Sequence, residues 1–456
     1  MNIRQSLLTI SLLLAGLAAK PQQVITNMKT LAASTTEADF PKAFAYYQQL
    51  GRQAAADSVV ALSRQKFPKG KIMRDSLLAG IYKEKDLLKR DELIKKCTTA
   101  FPRKNYDGVF VIYDYVRAGV GTQFVNAGNT PKALAYANDL EEQFWMGEGL
   151  MQIGTALLRK GDTASATPLF LRAAESARPF LGKPGNEAQF ASVGFPYAAR
   201  TYADLMLRKG DIKTALTFMN EAAASDNTKD TEFFLIYARI LKANGQLLQA
   251  QAQLEASVIK GNAGAATRQM LQEIYHGDQP FDTYVTGLKT RMQSAIRDKA
   301  AKEMINEPAL AFALKDMNGN TVSLASLQGK VVVLDFWATW CGPCKASFPA
   351  MKKAQDKFKS DKNVQFLFID CWEKADDFET IVKNYINTNR YDFNVLFDPK
   401  PEDGKSTAEA YGVTAIPAKF VIDGRGRIRF KLAGFTGGEE AAVEELAAMI
   451  EMARKG

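Results

Sequence analysis

The chain has 456 residues, material for about three domains at ~150 residues each. Its 46% hydrophobic and 24% charged residues exclude a disordered chain, a collagen and a multi-span membrane protein. The formal net charge of +9 rests wholly on residues 1–305, because the stretch from Asn306 onward holds 20 Lys/Arg against 21 Asp/Glu. No Lys/Arg run is dense enough for a nucleic-acid patch, so that excess reads as a solvated helical surface, with no nucleic-acid partner expected. The single histidine, His276 beside Gly277, reads as a helix-end or turn residue. It leaves no room for multi-histidine zinc sites, HExxH hydrolases or most imidazole-based acid–base enzymes. Chemistry must run on cysteine, carboxylate or lysine, and no metal or cofactor is expected.

Residues 2–4 form a short basic lead-in, Leu7 to Leu17 an apolar run, and Ala18 and Ala19 a small-residue exit. That is the shape of a secretory signal over residues 1–19. The run is short for a bilayer span of ~20 residues, an uncleaved anchor being the competing reading. No cysteine follows it to carry a lipid. Export to the periplasm of a Gram-negative-type bacterium is expected, as a soluble protein after cleavage. In such an oxidising place cysteines pair or do redox chemistry.

Residues 22–305 read as helix throughout, rich in Ala, Leu, Lys and Gln. Lys66-Phe67-Pro68-Lys69 recurs 34 residues on as Ala100-Phe101-Pro102-Arg103. Gly128, Gly161, Gly210 and Gly245 each predict a tight turn before an Ala-rich amphipathic segment, at spacings of 33, 49 and 35. Arg159-Lys160-Gly161-Asp162 and Arg208-Lys209-Gly210-Asp211 are near-copies. A period near 34 resembles a degenerate array of tetratricopeptide-type helix pairs. The long spacing predicts an insertion at 178–196, which holds three prolines and three glycines. One more amphipathic helix is predicted over 281–305. Pro308 ends it, and the domain boundary is expected near residue 306.

Beyond that point β-rich runs at 331–337, 364–369, 393–397 and 419–422 alternate with helical stretches at 345–358, 378–387, 406–411 and 439–453. Met317-Asn318-Gly319-Asn320, between Phe312 and Val322, is a hairpin signal. The predicted order is β-hairpin, β, α, β, α, β, a short α, β, β, α.

Trp340-Cys341-Gly342-Pro343-Cys344 falls where the strand 331–337 gives way to the helix from Lys345. A helix start favours negative charge and so stabilises a Cys341 thiolate. Two cysteines three apart on that first turn can close a small disulfide, Cys341 exposed and Cys344 tucked beneath it. A zinc ribbon would need a second matched pair, which Cys97 and Cys371 do not supply. Haem attachment would need histidine where Lys345 stands. A redox-active dithiol is the leading reading, and a purely structural disulfide the alternative.

The run Leu334-Asp335-Phe336-Trp337-Ala338-Thr339-Trp340-Cys341-Gly342-Pro343-Cys344 resembles the active-site segment of the thioredoxin superfamily. With the hairpin at 312–324, the Gln328-Gly329-Lys330 lead-in and the export signal, residues 308–456 resemble the exported TlpA/ResA-like thiol–disulfide oxidoreductases. The fold class expected is therefore an α/β thioredoxin-like fold behind an all-α, tetratricopeptide-like domain. The resemblance implies that Cys341 is the nucleophile, Cys344 the resolving cysteine and Asp335 the proton acceptor of the inner thiol. It implies a cis bond at Pro417 in Thr414-Ala415-Ile416-Pro417, with Trp340, Ile416 and Pro417 against the substrate. Glu373 matches the active-site glutamate of some ResA-like proteins in place.

Two features depart from the family pattern. Cys371 ends a strand at the active-site edge, where a third redox cysteine or an inert buried thiol both fit; Cys97 reads as helical core. Gly342-Pro343 stands where ResA-like proteins often carry Glu-Pro and matches thioredoxin itself, whose potential of about −270 mV is reducing. The function expected is an exported disulfide reductase acting on envelope proteins, apo-cytochrome c among the candidates, and re-reduced by a membrane electron donor. A scaffold whose helical array binds a partner is the alternative from another class. A thiol peroxidase is the weaker one, because Thr339 lies only two residues before Cys341 and no proline stands four residues before Thr339.

Overall fold

A computed structural model describes residues 24–103, 111–225, 230–261, 264–399, 404–434 and 438–455. The signal-like segment 1–19 lies outside them. The described residues fall into two compact units that divide between 227 and 228.

The described part of the first unit is built from helices, from Met28–Ala33 to Ile212–Ser225. The predicted turns fall between successive helices. Gln143–Arg159 and Thr163–Ala177 are joined through Gly161, and Asn186–Arg208 and Ile212–Ser225 through Gly210. Both glycines take φ near +80°, a left-handed conformation that costs other residues energy. The aspartate after each glycine caps the next helix: Asp162 accepts the Ser165 N–H at 3.0 Å and Asp211 that of Thr214 at 3.1 Å. Gly154 serves packing instead, since a Cβ there would lie 2.9 Å from the Phe170 ring of the facing helix. The predicted insertion differs from expectation. Only residues 178–185 form a short 3-10 turn and loop, and the remainder lengthens the 23-residue helix Asn186–Arg208 with Pro196 inside it. Proline removes one helical N–H, but Phe195, Pro196 itself and Ala198 are buried, and that packing holds the helix together.

The second unit opens with four helices, Thr231–Ala243, Leu247–Ile259, Ala265–Ile274 and Phe281–Glu303. It therefore begins well before residue 306, where the sequence changes texture. Phe281–Glu303 joins the α/β part through the C-terminal helix: Lys289 meets Glu440, Gln293 meets Glu444, and Ala300 enters the same apolar core.

That α/β part runs β1 (Glu307–Pro308), β2 (Ala313–Asp316), β3 (Thr321–Ser323), β4 (Val331–Trp337), α1 (Gly342–Lys357), β5 (Val364–Cys371) and α2 (Phe378–Thr388). It continues with β6 (Val395–Asp398), α3 (Thr407–Ala410), β7 (Ala418–Ile422), β8 (Arg427–Ala433) and α4 (Glu439–Lys455). The eight strands form one sheet in the order β1-β8-β7-β4-β5-β6-β2-β3. β4, β5 and β6 run parallel, while β7 is antiparallel to β4. β1 was not anticipated: two residues after the long helix pair with Ile428 and Arg427 of β8. β4 lies at the centre, buried along its whole length, which is why it reads as a continuous apolar run.

Alternation along β4 and β5 sends side chains to two apolar layers. Val331, Val333 and Trp337 share one layer with Cys341, Cys344, Phe348 and Phe368. Val332, Leu334 and Phe336 share the other with Leu367, Ile369 and Cys371. Among the described residues no helix is long and apolar enough to cross a membrane.

Candidate functional site

The site forms where β4, the central strand, ends and α1 begins. Cys341 is the N-cap of α1, and its Sγ accepts the Cys344 N–H at 3.1 Å. Helix-start N–H groups are short of acceptors, so negative charge on this sulfur is stabilised where it sits. Cys341 and Cys344 are joined as a disulfide. The expected contrast in exposure is small, 4% for Cys341 and 0% for Cys344, because both sulfurs sink into the layer beneath α1. The Ile416–Pro417 bond is cis, and the Ile416 carbonyl oxygen lies 3.8 Å from Cys341 Sγ. The loop ahead of β7 thus lies against the outer sulfur.

Trp340 is the exposed member of the group, at 45%. Its indole N–H donates to the Trp372 carbonyl at 3.0 Å, and Lys374 holds its ammonium 5.7 Å from the ring centre. Glu373 reaches the same loop, accepting the Thr339 N–H at 2.5 Å. So the turn after β5 clamps the segment that leads to Cys341. Trp372 pays for this with a left-handed backbone, φ 59°, unfavourable for a bulky residue. Such outliers persist where the surroundings over-determine them.

Asp335 lies at 1% exposure on β4, on the Trp337 side of the strand and so toward the dithiol layer. Burial raises its pKa, and the ammonium of Lys419 opposes that rise. Lys419 was not foreseen. It sits in the apolar strand β7, buried, with Nζ 3.2 Å from Asp335 Oδ1. A charged residue inside an apolar run is the signal that could have found it, since buried charges are paired. Asp370 is a second carboxylate in such a run and was also missed.

Cys371 points to the opposite sheet layer from the dithiol. Its Sγ lies 3.6 Å from the Trp337 carbonyl, and burial pushes its thiol pKa strongly up. That geometry fits the inert reading. Cys97 is buried in helix Leu87–Ala100, with its pKa pushed up to about 11 by burial. Among the described residues no group of three or more His, Cys, Asp or Glu could hold a metal ion.

Residues 305–431 match the AhpC/TSA family. The thiol–disulfide oxidoreductase ResA of Bacillus thuringiensis (strain Al Hakam) is 34% identical over 145 residues, 32% of this chain and 78% of the relative. The chain belongs to the ResA-like thiol–disulfide oxidoreductases. The membership lies in its C-terminal third, which has the thioredoxin-like fold, and the all-α region precedes it. ResA of Bacillus subtilis (strain 168) is 34% identical to this oxidoreductase over 131 residues, 28% of this chain and 68% of the relative. A solved chain described as thiol:disulfide interchange protein DsbE, from Chlorobium tepidum, is 36% identical. It covers 32% of this chain and 96% of its own length, with a TM-score of 0.28.

Proposed function

We propose that this oxidoreductase is exported and works as a disulfide reductase on envelope proteins, with Cys341 as nucleophile and Cys344 as resolving thiol. The observation that carries the reading is the Cys344 N–H held 3.1 Å from Cys341 Sγ at the start of α1. In the reduced protein this donor favours the Cys341 thiolate. The thiolate attacks one sulfur of a substrate disulfide, forming a mixed disulfide and releasing the substrate's other sulfur as a thiolate. Cys344 then passes its proton to Asp335 and displaces the substrate from Cys341. The substrate leaves with two thiols, and the protein keeps the Cys341–Cys344 disulfide. Return to the dithiol takes two electrons and two protons from an external dithiol donor at the membrane.

Support for the reducing direction comes from Gly342-Pro343, the dipeptide of thioredoxin, whose potential is about −270 mV. Trp340, Ile416 and Pro417 are the surface on which an extended substrate segment docks. The helical array, read as tetratricopeptide-like, brings partners to the dithiol; apo-cytochrome c is one candidate substrate. The AhpC/TSA match keeps peroxide reduction as a second reading, but Asp335 stands four residues before Thr339 where that chemistry needs proline. The deciding measurement is the reduction potential of the Cys341–Cys344 pair against glutathione or thioredoxin. A value near that of thioredoxin supports a reductase. A value near about −120 mV, that of a strong oxidant, reverses the direction.

A further inference from the structure

A groove of about 730 Å³ opens within the first unit, between helices Val111–Asn126, Gln143–Arg159 and Asn186–Arg208. Helix Gln143–Arg159 packs against the other two and forms its floor. Glu148, Gln152, Thr155 and Arg159 line that floor. They share one stripe of the helix, because the step from Glu148 to Arg159 is about three whole turns. Glu148 is half-buried and accepts the Gln152 side-chain amide at 3.0 Å. Arg159, at the other end, is exposed. Neither forms an ion pair with a described residue. The floor therefore carries an unpaired acid at one end, an unpaired base at the other, and an amide and a hydroxyl between them.

One wall is apolar and open. Phe190, Val193 and Tyr197 follow one another on one face of helix Asn186–Arg208, all exposed, Val193 at 81%. Both rings are held in place before anything binds. Phe190 meets Phe144 edge-on at 6.0 Å, and the Arg200 guanidinium lies 5.4 Å from the centre of the Tyr197 ring. Fixed rings lose little freedom on binding. The opposite wall holds Gly119, inside helix Val111–Asn126, where glycine is unfavourable. A Cβ on nearby Gly121 would lie 2.8 Å from Ile153, so packing explains that glycine. A Cβ on Gly119 would meet nothing within 4 Å. Packing within this chain does not explain it, and at the groove it leaves space for another backbone.

We propose that this groove binds an extended segment of another protein that carries a basic and an acidic side chain about five residues apart, with apolar side chains between them. Glu148 and Arg159 stand about 16 Å apart along the helix, a span that an extended chain covers in about five residues. The basic side chain pairs with Glu148 and the acidic one with Arg159. The apolar ones lie against Phe190, Val193 and Tyr197, and Gln152 and Thr155 bond the backbone between. An acyl chain in the same place would desolvate the Glu148 carboxylate with nothing in exchange, so a peptide fits better. The inference rests on the reading that the helical array engages partners, and it does not use the dithiol.

The test is fluorescence anisotropy of dye-labelled, cysteine-free peptides with the oxidised full-length chain. One peptide carries lysine and glutamate on either side of a leucine- and phenylalanine-containing stretch of four residues. Three others carry two lysines, two glutamates or two glutamines at those positions. The lysine–glutamate peptide should bind about tenfold more tightly than the others at low salt, and added salt should narrow the gap. Arg159→Glu should move the preference to the two-lysine peptide, and Glu148→Lys to the two-glutamate peptide. Arg159 is exposed, so its variant carries the test should Glu148→Lys not fold. Phe190→Ala should weaken every peptide by about tenfold. No binding up to about 1 mM, equal binding of the four peptides, or a preference that Arg159→Glu leaves unmoved overturns the proposal. Binding of palmitate, or self-association, that Phe190→Ala abolishes while no peptide binds also overturns it, in favour of a lipid or a second copy. Because the peptides hold no cysteine, failure of this groove and failure of the dithiol reading are read separately.

Discussion

Lys419 Nζ lies 3.2 Å from Asp335 Oδ1, and the two residues are register partners across β7 and β4. The contact is a buried ion pair, and among the described residues no other group partners the carboxylate oxygens of Asp335 or the ammonium of Lys419. Breaking such a pair from one side leaves a desolvated charge. Asp335→Asn alone should therefore cost about 3–5 kcal/mol, while Asp335→Asn with Lys419→Met should recover most of it. Urea unfolding of the two single variants and the double decides this; additive losses would show that the pair is not coupled.

In the proposed exchange the same pair sets when the inner thiol can be deprotonated. Burial raises the Asp335 pKa and Lys419 holds it back. In Lys419→Met the carboxylate is harder to form, so accepting the Cys344 proton requires higher pH. The rate of mixed-disulfide resolution should fall at neutral pH, and its pH profile should move to the alkaline side by about one unit or more. Lys419→Arg should restore the profile, while first attack by Cys341 stays unchanged. Stopped-flow resolution from roughly pH 5 to 9 reads the shift; an unmoved profile removes Lys419 from proton transfer.

Much of the site was legible because its signals are local. The strand 331–337, the cysteine pair at the following helix start and the turn glycines each depend on a few adjacent residues. Lys419 and Asp335 stand 84 positions apart and meet only through the antiparallel pairing of β4 with β7, which no local pattern encodes. Asp370 is hidden in the same way, since its burial depends on α2 and β6 closing over the end of β5. Pro196 misled because it is a local breaker that tertiary packing overrode. The two-residue strand β1 is too short to carry any alternation.

Asp370 also predicts a pH dependence of stability. Its folded pKa of about 9 lies above the ordinary carboxylate value of 3.8, so the folded state holds a proton that the unfolded state has lost. That contribution is fully present below pH 3.8 and fades as the pH rises toward about 9. Within this window the wild type should lose up to about 1.4 kcal/mol per pH unit relative to Asp370→Asn. Urea midpoints of the two proteins at several pH values measure the divergence. Parallel curves would mean that Asp370 ionises in the folded protein as it does in the unfolded chain.

Cys341 and Cys344 should titrate apart. The N–H at Cys341 Sγ and the start of α1 favour its thiolate, while Cys344 lies in the apolar layer with no exposure. Iodoacetamide alkylation of the reduced protein should reveal one thiol with a pKa in the range of about 3.5–7.5 and a second that stays unreactive until far higher pH. Equal reactivity of both would remove the helix start as the activating group.

Substrate identity can be read from a trapped intermediate. Release of the mixed disulfide depends on Cys344, so Cys344→Ser leaves a Cys341 that attacks and cannot let go. Replacing the inner sulfur leaves the Cys341 N-cap and the Ile416–Pro417 loop beside it in place. Expressed from residue 1, this variant should accumulate covalent adducts that appear on non-reducing gels and vanish with dithiothreitol. Adducts carrying a Cys-x-x-Cys-His segment favour cytochrome maturation, and varied envelope proteins favour a general reductase. Cys341→Ser should trap nothing, because no outer thiolate remains to attack. No adducts with Cys344→Ser, in a strain where the wild type is active, would contradict the reductase reading and leave partner binding by the helical array as the activity to test.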